Sequence, residues 1–402
     1  MSKYLEHIDL ELLKDRLRMG CDWLADIAQL KTEEDSSAEK KHHQLSWKGA
    51  IKGEYNAADK KWSFFCPIWH SGQAVKALIR GHQILGGEKF LDAARLSAQF
   101  IANNQVMDKD DDEFGLIYAC EDFFDKVNTA AVLECLDGLI ELTTFDDSKD
   151  YWPNIIAAAQ WCARKAYNGN GLLHDFYDFK EKTFLERSGH NKDGRPLIDD
   201  SVFLKVYKKN KDEAFRKIFF EIAERLLSEE YPSGNWIKYG PSNPDVGFIH
   251  PRHAYWWGLP MLDAYVESGE VKYLECAKRA AEWYKKAQRK DGGLFRKTYI
   301  DFSSESFGHA TSGIACAMVL WKKLDKLTGQ NDCADAYNMA AKFCLDMQFV
   351  NPTDPNLKGA VLEKILPPDG TDRSPYYVRA LGTIFFIQGI SEALIASEEL
   401  CC

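Results

Sequence analysis

The amino-acid sequence predicts an all-α ring, an (α/α)6 toroid of six helical hairpins, and three observations predict it. A short glycine-led apolar segment recurs six times, at Gly49-Ala50-Ile51, Gly115-Leu116-Ile117, Gly171-Leu172-Leu173, Gly234-Asn235-Trp236, Gly293-Leu294-Phe295 and Gly359-Ala360-Val361. Between successive segments lie two stretches whose apolar residues recur at i, i+3, i+4 and i+7, as in amphipathic helices that bury one face. The stretches left over stand at the two ends, Leu10–Leu30 and Tyr376–Ala396, so pairing them closes the array. An open solenoid would leave an apolar face bare at each end unless it were capped.

The other hairpins follow in chain order. Ala74–Ile84 pairs with Lys89–Ala102 across Gly86-Gly87, and Thr129–Leu142 pairs with Tyr151–Ala166 across Phe145-Asp146-Asp147-Ser148. Val202–Tyr207, a short first helix, pairs with Ala214–Leu227. Ala254–Val266 and Val271–Gln288 are separated at Gly269, and Thr311–Leu327 and Asp332–Met347 at Gly329-Gln330-Asn331. Glycine and asparagine at these breaks are helix stop signals. The whole chain, residues 1–402, reads as one domain. Lys31–Lys60, rich in Glu, Ser, Lys and His, reads as a long loop that extends to residue 66.

Composition narrows the function. The 402 residues carry 51 Lys plus Arg against 61 Asp plus Glu, a net charge of −10, which lacks the basic footprint of a nucleic-acid binder. No apolar run approaches the roughly 20 residues that span a bilayer, and Met1–Leu10 has no basic start followed by an apolar stretch. A cytoplasmic protein without a membrane partner is expected. The 11 cysteines are scattered, with no zinc spacing, and read as reduced core thiols, so no metal and no cofactor are expected.

In a toroid the loops from each outer helix to the next inner helix line a funnel. Those junctions contain Trp69 and His70; Asp122 and Asp125; Arg195, Asp199 and Asp200; His250, Arg252, His253 and Trp256; Glu305 and His309; and Arg373, Tyr377 and Arg379. Flat aromatic faces beside carboxylates and arginines suit a sugar, whose C–H faces stack while its hydroxyls hydrogen-bond. Guanidinium groups grip carboxylates, which points to an acidic oligosaccharide. Asp199 and Asp122 stand at comparable junctions one hairpin apart, where two acids could share work on a glycosidic bond. Asp125 is an alternative to Asp122, and Asp200 is equally readable as a helix cap.

Several of these motifs carry a family resemblance. Trp69-His70-Ser71-Gly72, Arg195-Pro196-Leu197-Ile198-Asp199, Arg252-His253-Ala254-Tyr255-Trp256 and Thr311-Ser312-Gly313-Ile314-Ala315 resemble, in order, segments of the unsaturated glucuronyl hydrolases, glycoside hydrolase family 88. Glu121-Asp122 stands where that family has His-Asp, and His250-Pro251 replaces its His-Gln-Gly. The resemblance implies hydration of the vinyl ether of a terminal 4,5-unsaturated uronic acid, with Asp199 and Asp122 as the catalytic pair. It also implies that Arg252 holds the uronate and that Trp69 and Trp256 stack on rings. A sugar 2-epimerase or isomerase using His70, His250, His253 or His309, a polysaccharide lyase, and a non-catalytic ligand-binding ring stay open beside it.

Overall fold

The computed structural model describes residues 3–33, 38–39, 42–121, 124–185, 191–305, 310–363 and 377–395. Six inner helices form a ring: α2 (Pro67–Leu85), α4 (Thr129–Phe145), α6 (Val202–Asn210), the pair α8 (His253–Gly258) and α9 (Pro260–Ser268), α11 (Thr311–Thr328) and α13 (Ala380–Leu394). Six outer helices wrap it: α1 (Leu10–Asp22), α3 (Glu88–Asn103), α5 (Trp152–Trp161), α7 (Glu213–Ser228), α10 (Val271–Ala287) and α12 (Ala334–Asp346). Helices α1 and α5 each run on into a π-helical turn, Trp23–Ala28 and Cys162–Ala166. Inner α13 packs on both α11 and α2, and α1 packs on α13, so the chain ends close the ring as expected.

The inner helices are buried nearly all round, and small residues let them approach. A Cβ added at Gly138 in α4 would fall 2.2 Å from the carbonyl oxygen of Gly72 in α2. The fourth inner helix is broken where Pro260, lacking an amide hydrogen, begins α9.

The recurrent glycine is the element that seats each junction on the next outer helix. At Gly359 the backbone has φ 93°, and a Cβ there would lie 2.1 Å from the carbonyl oxygen of Met19 in α1. Gly49, Gly115, Gly171 and Gly234 make the same approach to α3, α5, α7 and α10. In the fifth repeat the role belongs to Gly292 rather than Gly293, because it is Gly292 that has positive φ and meets Met339 of α12. A single β-bridge two residues after each glycine ties the junction to the residue just past the preceding outer helix. Gln29↔Ile51 and Gln348↔Val361 are the first and last of six.

Two expectations are corrected. The stretch ending at residue 66 is not all loop: Gly53–Asn56 and Lys61–Phe64 form an antiparallel hairpin, extended by Ala38–Glu39 on one side and Tyr377–Arg379 on the other. Burial alternates along Lys61–Phe64, where Trp62 and Phe64 face the core, while Gly53, Glu54 and Tyr55 are all buried. Inner helices also begin and end differently from the periodic pattern. Helix α2 starts at Pro67, a residue suited to a first turn, and α13 starts at Ala380, after the strand.

Candidate functional site

Among the described residues, side chains from α2, α4, the head of α8 and α13 come together inside the ring. Residues Arg195–Ile198 deliver Asp199 there. Arg195 exchanges backbone hydrogen bonds with Leu173, and its Nε donates to Asp175 at 2.6 Å, which fixes the segment. Asp199 is buried, at 4% exposure; its Oδ2 makes no close hydrogen bond, and the Trp257 indole N–H is near enough to favour the ionised form. Burial is the main force pushing its carboxyl up to about 7; the Arg195 charge opposes the rise and Asp200 adds to it.

Asp200 and Ser201 both adopt left-handed backbone, with φ 53° and 55°, an uncommon state for residues bearing a Cβ. Asp200 caps no helix, contrary to one of its two sequence readings. It turns toward the ring axis, where Lys76 donates to it at 3.0 Å and Gln73 at 3.3 Å. Lys76 also reaches Asp137 at 2.7 Å.

Arg252, just before α8, lies in a cage of three rings. Its guanidinium carbon is 5.4 Å from the centroid of Trp69, 5.1 Å from Trp256 and 5.9 Å from Phe385. Its Nε and the indole nitrogen of Trp256 are buried without hydrogen-bond partners. His250 stacks on Trp256 at 4.9 Å with 10° between planes, and the Arg252 amide donates to its Nδ1 at 3.3 Å. His253 and His70 are fully buried, and burial pushes both down to about 3, so both are neutral. The Nδ1 of His253 meets Ser242 Oγ at 3.0 Å, the Nδ1 of His70 meets the Cys66 carbonyl at 3.1 Å, and both Nε2 atoms lack partners.

Glu134 in α4 is a site residue absent from the sequence-derived set. Its Oε2 accepts the Trp69 indole N–H at 2.7 Å. Burial, reinforced by Asp199 and Asp200, holds its carboxyl well above the usual range, while the Trp69 hydrogen bond and Arg252 pull the other way. Glu134 thus feels the charges of both Asp199 and Arg252, which come from stretches distant in sequence. Two more additions are Phe385, in the cage, and Glu363, which accepts the Ser312 amide at 2.8 Å and hydroxyl at 2.7 Å at the head of α11.

Asp125 and Glu305 stand apart from this cluster, whereas Arg379 is close enough for its charge to act on His70. The Asp125 side chain is 46% exposed and pairs with Lys126 at 3.1 Å and Lys180 at 3.3 Å, so two lysines keep it ionised at the rim, unlike the second acid that spacing allowed. Arg379 donates to buried Glu54 at 2.9 Å and lies over Phe65, and Tyr377 is in the same strand as Arg379. Glu305 is exposed. Asp122, His309 and Arg373 lie outside the described residues. Among the described residues no group of three or more His, Cys, Asp or Glu could hold a metal ion, and no helix is long and apolar enough to cross a membrane.

The fold is an (α/α)6 toroid, and its interior holds the buried carboxyls Asp199 and Glu134 and the ring-caged Arg252. No protein-family model and no curated protein sequence matches the chain. Solved structures do. The chain is similar to an unsaturated glucuronyl hydrolase specific for heparin, with TM-score 0.67 and 12% identity over 95% of this chain and 96% of that one. A sugar epimerase from a ruminal bacterium gives TM-score 0.65 and 11% identity, over 95% and 98%. An inactive variant of an α-1,6-mannanase from Salegentibacter sp. HEL1_6, in complex with α-1,6-mannotriose, gives 0.57 and 13%, over 95% and 99%. At these identities the likeness is one of fold.

Proposed function

We propose that the funnel is the active site of a carbohydrate-processing enzyme, a glycoside hydrolase that removes a terminal 4,5-unsaturated uronic acid from lyase-generated oligosaccharides. The observation that carries this reading is the buried Asp199 carboxyl, pushed up to about 7 by that burial, with Glu134 linking it electrostatically to the caged Arg252. A carboxylic acid that keeps its proton near neutral pH is suited to general-acid work. Asp199 gives its proton to the vinyl-ether double bond and then takes one from water as that water adds, so the acid is regenerated. The resulting hemiketal opens and releases the next sugar. Arg252 binds the uronate, and Trp69 and Trp256 present ring faces to the sugar. Glu134, rather than Asp125, is the nearby second carboxyl; Asp122 keeps the role its resemblance implies. The unpartnered nitrogens of His70, His253, Trp256 and Arg252 are donors or acceptors for hydroxyls.

The test is the ultraviolet absorbance of an unsaturated disaccharide. Its decay with wild type and its persistence with Asp199→Asn support the hydrolase; equal behaviour of the two proteins removes it. An epimerase reading is favoured by the histidine cluster, His250 against Trp256 and His253. It calls for solvent deuterium to enter C2 of a reducing sugar, and for His250→Ala to stop this.

A further inference from the structure

Directly after Asp199 the chain makes two consecutive left-handed residues, Asp200 and Ser201. Such a conformation persists only where its surroundings over-determine it, and it concentrates at functional sites. Packing does not supply that constraint from the far side of the ring. There a cavity of about 920 Å³ opens between the C-terminal ends of the inner helices, and Asp200, Ser201, Lys76, Lys205 and Asp263 line it.

What holds the turn is polar. The Lys76 ammonium, its side chain 3% exposed, is shared between Asp200 at 3.0 Å and Asp137 at 2.7 Å. Lys205 pairs with Asp137 in turn. Ser201 Oγ donates to Asp263 in α9 at 2.6 Å. Each left-handed residue is therefore tied by its side chain to a different inner helix. Lys76 lies two helical turns below Trp69 on α2, so one helix carries both the ring that faces Arg252 and the cation that faces Asp200.

We infer that Lys76 is a positioning residue, whose ion pair with Asp200 clamps the left-handed turn, fixes where the Asp199 carboxyl stands, and masks the charge of its nearest acidic neighbour. This rests on the general-acid role given to Asp199 above and goes beyond it by assigning how that acid is held and tuned. The charged groups that act on Asp199 are Arg195 and Asp200 on its own segment and Glu134 from α4; Arg252 acts on Glu134, while Asp175 and Glu121 act on Arg195. Lys76, Asp137, Lys205 and Asp263 form the layer beyond. Removing the Asp200 charge lowers the cost of ionising Asp199, whereas removing the Lys76 charge raises it. Damage to packing alone has no reason to produce shifts of opposite sign.

The experiment follows the Asp199 carboxyl carbon by NMR in full-length protein labelled with 13C-aspartate, assigned by its loss in Asp199→Asn. Asp200→Asn is expected to lower the titration midpoint by about one unit, Lys76→Gln to raise it by about one unit, and Lys76→Arg to keep it near wild type. A midpoint that stays put in Asp200→Asn, or moves in the same direction in Asp200→Asn and Lys76→Gln, overturns the inference. If Lys76→Gln does not fold, Asp200→Asn and Lys76→Arg decide it: an unmoved midpoint in the first or a displaced one in the second is fatal. The midpoint needs no turnover. Failure to consume an unsaturated disaccharide would therefore refute the hydrolase reading and leave this measurement intact.

Discussion

The Trp69 indole uses both its edge and its face: its N–H donates to Glu134 at 2.7 Å, and its ring lies 5.4 Å from the Arg252 guanidinium. A carboxyl that feels the Arg252 charge also holds the ring against which Arg252 rests. Because that carboxyl is held protonated, Glu134→Gln is a close copy of it, and Gln can still accept the indole N–H. Glu134→Ala leaves the N–H buried and unpaired, a loss of about 1–3 kcal/mol. Thermal melts should show a clear drop for Ala and a small one for Gln, and the Ala variant should bind unsaturated disaccharide more weakly.

Asp199 links stability to pH. The folded protein holds the proton up to about pH 7, while the unfolded chain releases it near the ordinary 3.8. Folding therefore binds a proton between these values, and the stability this group contributes is full below about pH 4 and lost as pH rises through 7. Asp199→Asn does not titrate. Relative to wild type it should gain on the order of 3 kcal/mol between pH 4 and pH 8 in denaturant titrations while losing catalysis. Catalysis by wild type should decline above pH 7, as the acid gives up its proton.

Arg252→Lys keeps the charge but not the flat fork that fits among three rings. Steady-state assays with an unsaturated uronyl disaccharide should show KM raised at least about tenfold, or about 1.4 kcal/mol, with a smaller change for a neutral sugar.

Arg379 and Asp125 should behave as structural and peripheral residues. Arg379→Met removes a cation from the fully buried Glu54 and should lower stability measurably in denaturant titrations. Asp125→Asn removes a half-exposed pairing and should shift stability by less than about 1 kcal/mol, with activity near wild type.

Gly359→Ala should be among the most damaging small substitutions. Its Cβ would meet the Met19 carbonyl oxygen at 2.1 Å in a backbone region unsuited to alanine. A loss of about 2–4 kcal/mol is expected by calorimetry. Gln348→Ala, which removes donors to the Arg16 and Gly359 carbonyls, should cost about 1–3 kcal/mol at the same seam.

The ring was legible because its two signals, helical periodicity and a recurring glycine, are local in sequence. A further repeat went unread: Gln29, Gln105, Gln288 and Gln348 each follow an outer helix and donate to backbone carbonyls of an adjoining element. The acid Asp199 and the caged Arg252 were legible from junction position. Glu134 was not, because inner-helix residues were assigned to packing; an acid alone in the apolar run Ala130–Leu136 was its signal. The Lys76–Asp200 pair was hidden for another reason. Its partners are 124 residues apart, and helical spacing alone does not reveal a contact between two different elements.

The seam between Gly359 and Met19 joins positions 340 residues apart. During synthesis at about 5–20 residues per second, α1 therefore leaves the ribosome roughly 20–70 s before the backbone it must meet. Throughout that interval the part of α1 that meets α13 is uncovered, although α2 is already available to the rest of Leu13, Leu17 and Trp23, which end up without solvent contact. A nascent chain of this design is exposed to off-pathway association in proportion to translation time. Slowing elongation late in the message should lower the soluble yield more than slowing it early.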